Sequence, residues 1–276
     1  MYVRNGKTHR EMDVLTPRSL DDALRMKSEF PDAAPIQGGT DVMVELNFDR
    51  ARPEYILNLN EVEELKSWDD GDGGVLHLRS GLTYTECRQQ PLAEMLPALA
   101  EAARTVGSPQ IQNRGTIGGN LGTASPAGDA LPPLLVEGAD VEVASVRGVR
   151  RIPLVEFLLG PKSNALAEDE LIVAIRIAPS HQPQTFMKVG PRNAMVIAVV
   201  SLALVADRWR GEIRASFGSA GPVSGLVTCP IDEADDLPDR VVSAASPIDD
   251  VRGTAAYRRH ALRVLTRRAL DRCLAQ

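Results

Sequence analysis

Gln110-Ile111-Gln112-Asn113-Arg114-Gly115-Thr116-Ile117-Gly118-Gly119-Asn120-Leu121-Gly122 sets four glycines among polar side chains near the middle of the chain. It runs on into Thr123-Ala124-Ser125-Pro126-Ala127-Gly128-Asp129. The whole stretch shows little helix or strand periodicity, and a structureless loop longer than about 12–15 residues inside a domain is usually functional. Thr116, Asn120, Thr123 and Ser125 offer hydrogen bonds without charge. Asp129 offers an acceptor for a sugar hydroxyl. An Ω-loop packed on itself accounts for the same residues equally well.

A second glycine-rich segment lies upstream, Ile36-Gln37-Gly38-Gly39-Thr40-Asp41-Val42. Adjacent glycines here separate a short apolar piece, Ala33-Ala34-Pro35-Ile36, from Val42, Met43 and Leu46, which have helical spacing. Without a Cβ the backbone can approach a ligand closely and take positive φ. Amides at a turn entering a helix favour an anion, so the segment reads as a pyrophosphate cradle. A tight turn with a helix cap fits Gly-Gly-Thr-Asp as well. Neither loop is GxxxxGK[ST] or GxGxxG, which disfavours a P-loop or an ordinary Rossmann site. HExxH and GxSxG are also missing. His9, His77, His181 and His260 are isolated and read as surface or structural residues.

Around the loops the chain divides into three units, 1–58, 59–179 and 180–276. In the first, Ser19 followed by Asp21 and Asp22 predicts a helix over 19–28, with Leu20, Ala23, Leu24 and Met26 inward and Pro31 ending it. Tyr55-Ile56-Leu57 reads as a strand. In the second unit, a Gly/Asp turn cluster at 69–74 precedes a strand over 75–80. Helices are expected near 83–90 and 96–104, and strands at 140–145 and 171–177. The third unit has strand candidates at 185–189, 196–205 and 212–217, with an acid-rich solvated loop at 232–239. It ends in a helix over 255–274, whose apolar stripe is Tyr257, Leu262, Leu265 and Leu270 with the arginines outward.

Composition narrows the function classes. The 276 residues are 43% hydrophobic and 25% charged, ordinary for a globular chain of two or three units. A net charge of −6 and 4% aromatics disfavour nucleic-acid binding. Cys87, Cys229 and Cys273 form no CxxC pair and no metal-ligand spacing, and so few cysteines suit a reducing cytoplasm. The polar start of the chain, 1–11, lacks a secretory h-region, and no apolar run reaches membrane-spanning length.

The ordered motifs resemble one family, the FAD-binding medium subunits of molybdenum hydroxylases, which include those of xanthine, carbon monoxide and nicotinate dehydrogenases. The likeness rests on Gln37-Gly38-Gly39-Thr40-Asp41-Val42, Gly107-Ser108-Pro109-Gln110-Ile111, Arg114-Gly115-Thr116-Ile117-Gly118-Gly119-Asn120 and Ala124-Ser125-Pro126-Ala127-Gly128-Asp129. Phe186-Met187-Lys188-Val189-Gly190-Pro191-Arg192, Met195 and Arg252-Gly253-Thr254-Ala255-Ala256-Tyr257-Arg258 extend it over nearly the whole chain. The resemblance implies an α+β fold: a vanillyl-alcohol-oxidase-type FAD-binding domain of two subdomains, plus a C-terminal α+β domain. It assigns Ile36, Gln37, Gly38, Gly39, Thr40, Asp41 and Val42 to the FAD pyrophosphate, continued by Thr116, Gly119 and Asn120. Gly107 and Thr123 join the same cofactor-binding set. Asp129 would take ribose hydroxyls, Ile172 would lie beside the flavin, and Lys188 would sit near the isoalloxazine ring. A surface lysine on a strand is the other reading of Lys188.

The family has a molybdopterin large subunit and a small subunit with 2Fe–2S clusters. The implied role here is therefore electron transfer from those clusters to NAD or another acceptor, in a cytoplasmic heterotrimer or dimer of heterotrimers. No catalytic residue and no metal are expected in this chain, and the substrate class leans to purines or other N-heterocycles. The extra iron–sulfur loop of some members lacks its cysteines here, and Gly122 stands where some relatives carry a larger residue. Two alternatives are a self-sufficient flavin reductase, with Ser125 or Glu101 as proton donor, and a non-enzymatic nucleotide-binding module.

Overall fold

The computed structural model describes residues 12–275; His9 and the polar start of the chain lie outside the described residues. The chain begins with β1 (Asp13–Leu15), α1 (Leu20–Glu29), β2 (Ala34–Ile36), α2 (Val42–Asn47) and β3 (Tyr55–Asn58). The three strands form a parallel sheet in the order β1-β3-β2. Ser19 caps α1 by accepting from the Asp22 N–H at 3.2 Å. Ala23 is fully buried and Leu20, Leu24 and Met26 are partly buried against the same core. Lys27 is also buried, its Nζ donating to the Pro31 and Ala33 carbonyls, which fastens the turn into β2.

A five-stranded antiparallel sheet follows, built from β4 (Trp68–Asp70), β5 (Leu76–Arg79), β6 (Asp140–Ser145), β7 (Gly148–Pro153) and, beyond the small hairpin β8–β9 (Leu158–Gly160 and Ser163–Asn164), β10 (Leu171–Ile177). Between β5 and β6 run α3 (Leu92–Met95), α4 (Pro97–Thr105), α5 (Pro109–Gln112), α6 (Ile117–Thr123) and α7 (Leu131–Val136). A short helix, α8 (Leu154–Phe157), joins β7 to β8. β10 is buried on both faces: Ile172, Ile175 and Ile177 pack toward the helices, while Leu171 and Val173 pack toward α1. That explains its unbroken apolar run.

Two expectations fail in this layer. Residues 83–90 make only a single 3-10 turn, Glu86–Arg88, rather than a helix. The Thr83 hydroxyl and N–H both bond Glu86, and the Tyr84 and Thr85 amides donate to the Gly115 and Gln112 carbonyls. The Arg88 and Gln89 amides bond the carbonyls three residues back, and Gln89 is already extended ahead of Gln90-Pro91, so the helical ladder stops after one turn. The glycine stretch 110–129 is, in turn, half helical. Ser108 caps α5 and Thr116 caps α6, accepting from Gly119 N–H at 3.0 Å, and Ala124 closes α6 in the left-handed region at φ 46°. Capping and tertiary pairing override the poor helix propensity of glycine. Thr116→Ala is expected to cost about 1 kcal/mol, read as a lower urea midpoint.

The third sheet is antiparallel in the order β11 (Gln184–Val189), β12 (Val200–Asp207), β13 (Glu212–Gly218), β14 (Gly225–Pro230). Val200, Leu202, Leu204 and Ala206 face α9 (Leu237–Ala244) and α10 (Ala255–Leu274), while Ala203 and Val205 face α4 and α7. The expected strand over 196–205 starts only at Val200, and β14 and α9 were not legible in advance. The acid-rich stretch at 232–239 is a 3-10 turn, Ile231–Asp236, leading into α9 rather than an irregular loop.

α10 corrects its own forecast at one end. Tyr257 is 49% exposed, whereas Arg258 is only 3% exposed. The Arg258 guanidinium donates to the Ser219 carbonyl and to Asp250 Oδ1, each at 2.5 Å. It thereby holds the 249–253 turn against the end of β13. Arg258→Met is expected to cost about 1.5–3 kcal/mol for each charge-assisted bond lost, measured by chemical denaturation.

Candidate functional site

The two glycine segments meet. An ideal Cβ on Gly38 would lie 2.0 Å from the Arg114 carbonyl oxygen, so the two backbones touch where only glycine fits. Arg114 Nη2 donates to the Gln37 carbonyl at 3.4 Å and to Asn60 Oδ1 at 3.2 Å. Gln37 lays its side-chain amide against Gly81, where a Cβ would come within 2.2 Å of it. Ile36 packs beneath Gly39, which turns at φ 75°. Thr123 Oγ1, at the end of α6, donates to Asp41 Oδ2 at 2.7 Å.

The two segments differ in which amides they leave available. Among the described residues, the N–H groups of Gly38, Gly39, Thr40, Asp41 and Val42 have no protein acceptor. At α6 the opening amides are taken: Ile117 donates to Leu82, Gly118 to Ser80, Gly119 to the Thr116 hydroxyl and Asn120 to the Thr116 carbonyl. Gly118 is pressed onto the Ser80 backbone, 2.6 Å from a would-be Cβ. The first loop therefore supplies donors, while α6 supplies a wall. Gly119 leaves that wall bare of side chain, and Asn120 presents an Oδ1 that is buried without a donor.

The other expected residues lie along a chain of contacts from that wall. The Asn120 side chain sits against Gly128, next to Asp129. Asp129 Oδ2 pairs with Lys188 Nζ at 2.6 Å, with side chains 8% and 5% exposed. Lys188 also donates to the Thr105 carbonyl, just before Gly107, which turns at φ 47°. Asp129 Oδ1 is buried without a donor. Burial pushes the Asp129 carboxyl up to about 6, and Lys188 pulls in the opposite direction. In the structure Lys188 and Asp129 are each other's partners, so the Lys188 side chain points inward and not to the surface. Ile172 reaches to within 3.9 Å of a Cβ placed on Gly122. Tyr84 is buried behind the wall, and burial together with Asp129 raises its hydroxyl well above the ordinary value.

Arg114, Ser80 and Gly81 were missed as site builders. The readable signal was a serine and glycine directly after the strand that became β5. Glu101 and Ser125 are both engaged. Glu101 Oε2 accepts from the Thr185 hydroxyl and the Phe186 N–H, and Ser125 Oγ accepts from Ala127 N–H. Among the described residues no group of three or more His, Cys, Asp or Glu side chains is arranged to hold a metal, and the three cysteines are free and buried. No helix among them is long and apolar enough to cross a membrane.

Five adjacent free amides complement a doubly anionic pyrophosphate. Two buried carbonyl-type oxygens without donors complement sugar or polyol hydroxyls. Such a set fits a dinucleotide cofactor without any GxGxxG fingerprint.

Residues 10–180 match the family model described as the FAD binding domain in molybdopterin dehydrogenase. The chain is 28% identical over 274 residues to the putative xanthine dehydrogenase FAD-binding subunit of Escherichia coli K12, covering 93% of this chain and 94% of that one. It is 32% identical over 199 residues to the nicotinate dehydrogenase FAD-subunit of Eubacterium barkeri, covering 69% and 67%. In fold it is similar to a solved chain of carbon monoxide dehydrogenase from Hydrogenophaga pseudoflava, at 23% identity and a TM-score of 0.88 over 96% and 97% of the two chains.

Proposed function

We infer the role of this chain from the family to which it belongs, the FAD-binding subunits of the molybdenum hydroxylases. We propose that it is the electron-transfer subunit of such an enzyme and that it holds FAD in the cleft between the loop before α2 and the wall made by α6. When bound, FAD supplies a carrier that collects single electrons from 2Fe–2S clusters of a small partner subunit and passes them in pairs to NAD or another acceptor. The oxidised substrate belongs at a molybdopterin large subunit, and the relatives named for xanthine and nicotinate favour an N-heterocycle. The proposed assembly is a heterotrimer or a dimer of heterotrimers, and the proposed location is the cytoplasm. Units 1–58, 59–179 and 180–276 divide the work: the first offers amides, the second the wall, and the third closes the far side through Lys188.

The observation that carries the reading is the run of free amides at 38–42 beside the partnerless Asn120 Oδ1. The amides bind and orient an anion. Ile172 and the glycines Gly119 and Gly122 leave a face with little side-chain bulk, and Asn164 Nδ2 holds the Gly122 carbonyl. The buried Lys188–Asp129 pair holds a fixed charge arrangement at the back of the cleft. Glu101 accepts from Thr185 and Phe186 and pairs with Arg272, which weighs against it as the proton donor that a self-sufficient reductase needs.

Purified chain, freed of cofactor and titrated with FAD, is expected to bind it at one per chain with the visible flavin band restored. A chain that takes up no FAD overturns the proposal. Asp41→Ala is expected to weaken FAD two- to fivefold, because one exposed hydrogen bond to Thr123 is lost, worth about 0.5–1 kcal/mol. Fluorescence titration measures this.

A further inference from the structure

The segment that carries the free amides is weakly held. α2 has no buried residue, and Met43, Val44 and Phe48 expose 45%, 44% and 67% of their surface. A six-residue helix in which Val42, Glu45 and Leu46 are only partly buried has little stability of its own. Beyond Gly38, two side-chain hydrogen bonds among the described residues tie segment 39–47 across the cleft. One is Thr123 to Asp41, at 2.7 Å; the other is Lys162 Nζ to Glu45 Oε1, at 2.9 Å. Lys162 is itself fixed to the wall, since its backbone N–H donates to the Ala124 carbonyl at the end of α6.

We propose that Glu45 and Lys162 form a clasp that sets how long FAD stays bound, by holding α2 and the amide loop before it against α6. The inference rests on the FAD reading above. Five amides bind one pyrophosphate only while they stay aligned, so loosening α2 weakens all five contacts together. The clasp is made of solvated charges, 67% and 31% exposed, and such a pair opens readily and is screened by salt. Neither Glu45 nor Lys162 supplies one of the 38–42 amides, which separates their effect from that of the cradle. Gly39, at φ 75°, supplies a turn about which the segment can swing.

The test is the rate of FAD release from the holo protein after dilution, followed by the fluorescence of the freed flavin. At low salt, Glu45→Gln and Lys162→Met are each expected to release FAD about two- to fivefold faster than the parent. The charge-swapped Glu45→Lys/Lys162→Glu chain should return toward the parental rate. Salt at about 1 M, where the Debye length is about 3 Å, should speed release from the parent and leave Glu45→Gln unchanged. Parental rates in both single variants at low salt overturn the proposal. A parent that takes up no FAD overturns the flavin reading instead. Hydrogen–deuterium exchange then decides the clasp. Faster exchange confined to the α2 amides in Glu45→Gln supports it, and unchanged exchange refutes it.

Discussion

Gly38→Ala is expected to give a folded chain that has lost nearly all of its flavin. The added Cβ would stand 2.0 Å from the Arg114 carbonyl oxygen; the Cβ is fixed rigidly to its backbone and the oxygen belongs to backbone, so neither has a rotamer to yield. The loop must therefore move away from Arg114, carrying its five amides with it. Overpacking of this kind costs about 1–3 kcal/mol, and each 1.4 kcal/mol is tenfold in affinity, so FAD binding should fall by about ten- to a hundredfold. Gly39→Ala should add an independent penalty of about 1–2 kcal/mol from its left-handed φ. Gly160→Ala is the control, since its Cβ would meet only Ser163 Cβ, at 3.8 Å. Circular dichroism confirms folding, and FAD titration measures the loss. Near-parental affinity in Gly38→Ala would remove the loop from the site.

The second large effect is expected from Lys188→Met, and it depends on pH. Removing one partner of a buried pair leaves the other charge uncompensated, typically at about 3–5 kcal/mol. Here the remaining carboxyl can escape by taking a proton. Burial already raises Asp129 to about 6, and without Lys188 it rises further. An acid raised in the folded state contributes stability that is fully present below its ordinary value, near 3.8, and lost as pH climbs to about 6. In the variant this loss continues above pH 6. Destabilisation relative to the parent should therefore be small at about pH 5, where Asp129 is protonated in both chains, and approach the full cost at about pH 8. Thermal melts at both values measure it. Asp129→Asn combined with Lys188→Met should recover much of the stability at pH 8. A Lys188→Met penalty of equal size at both pH values would show that the loss is one of packing.

Local chemistry was legible where a residue acts on its sequence neighbours. The Ser19 cap and first-turn acids located α1, and the apolar spacing at Leu262, Leu265 and Leu270 located α10. The alternation after the Gly/Asp-rich run 69–74, whose first two residues belong to β4, located β5, and the unbroken run at 171–177 located β10. Reading failed where distant backbone intervened. Residues 83–90 are pinned to the 112–115 carbonyls through the Tyr84 and Thr85 amides and turn extended at Gln89, and Arg258 turns inward because the Ser219 carbonyl and the Asp250 carboxylate supply acceptors there.

By itself the sequence determined the family and the two glycine segments, because turn chemistry and motif order are written in consecutive residues. Its adjacent glycines, Gly38 and Gly39, raised the expectation of backbone close to an anion. Tertiary structure alone decided which amides remain free to bind one. The opening amides of α6 are consumed by residues 80 and 82 and by Thr116, while those of 38–42 are left without acceptors. It alone paired Lys188 with Asp129 and laid α2 open to solvent. The physical reason is that hydrogen-bond satisfaction and burial are settled between segments far apart in the chain, and no local pattern records how those accounts close.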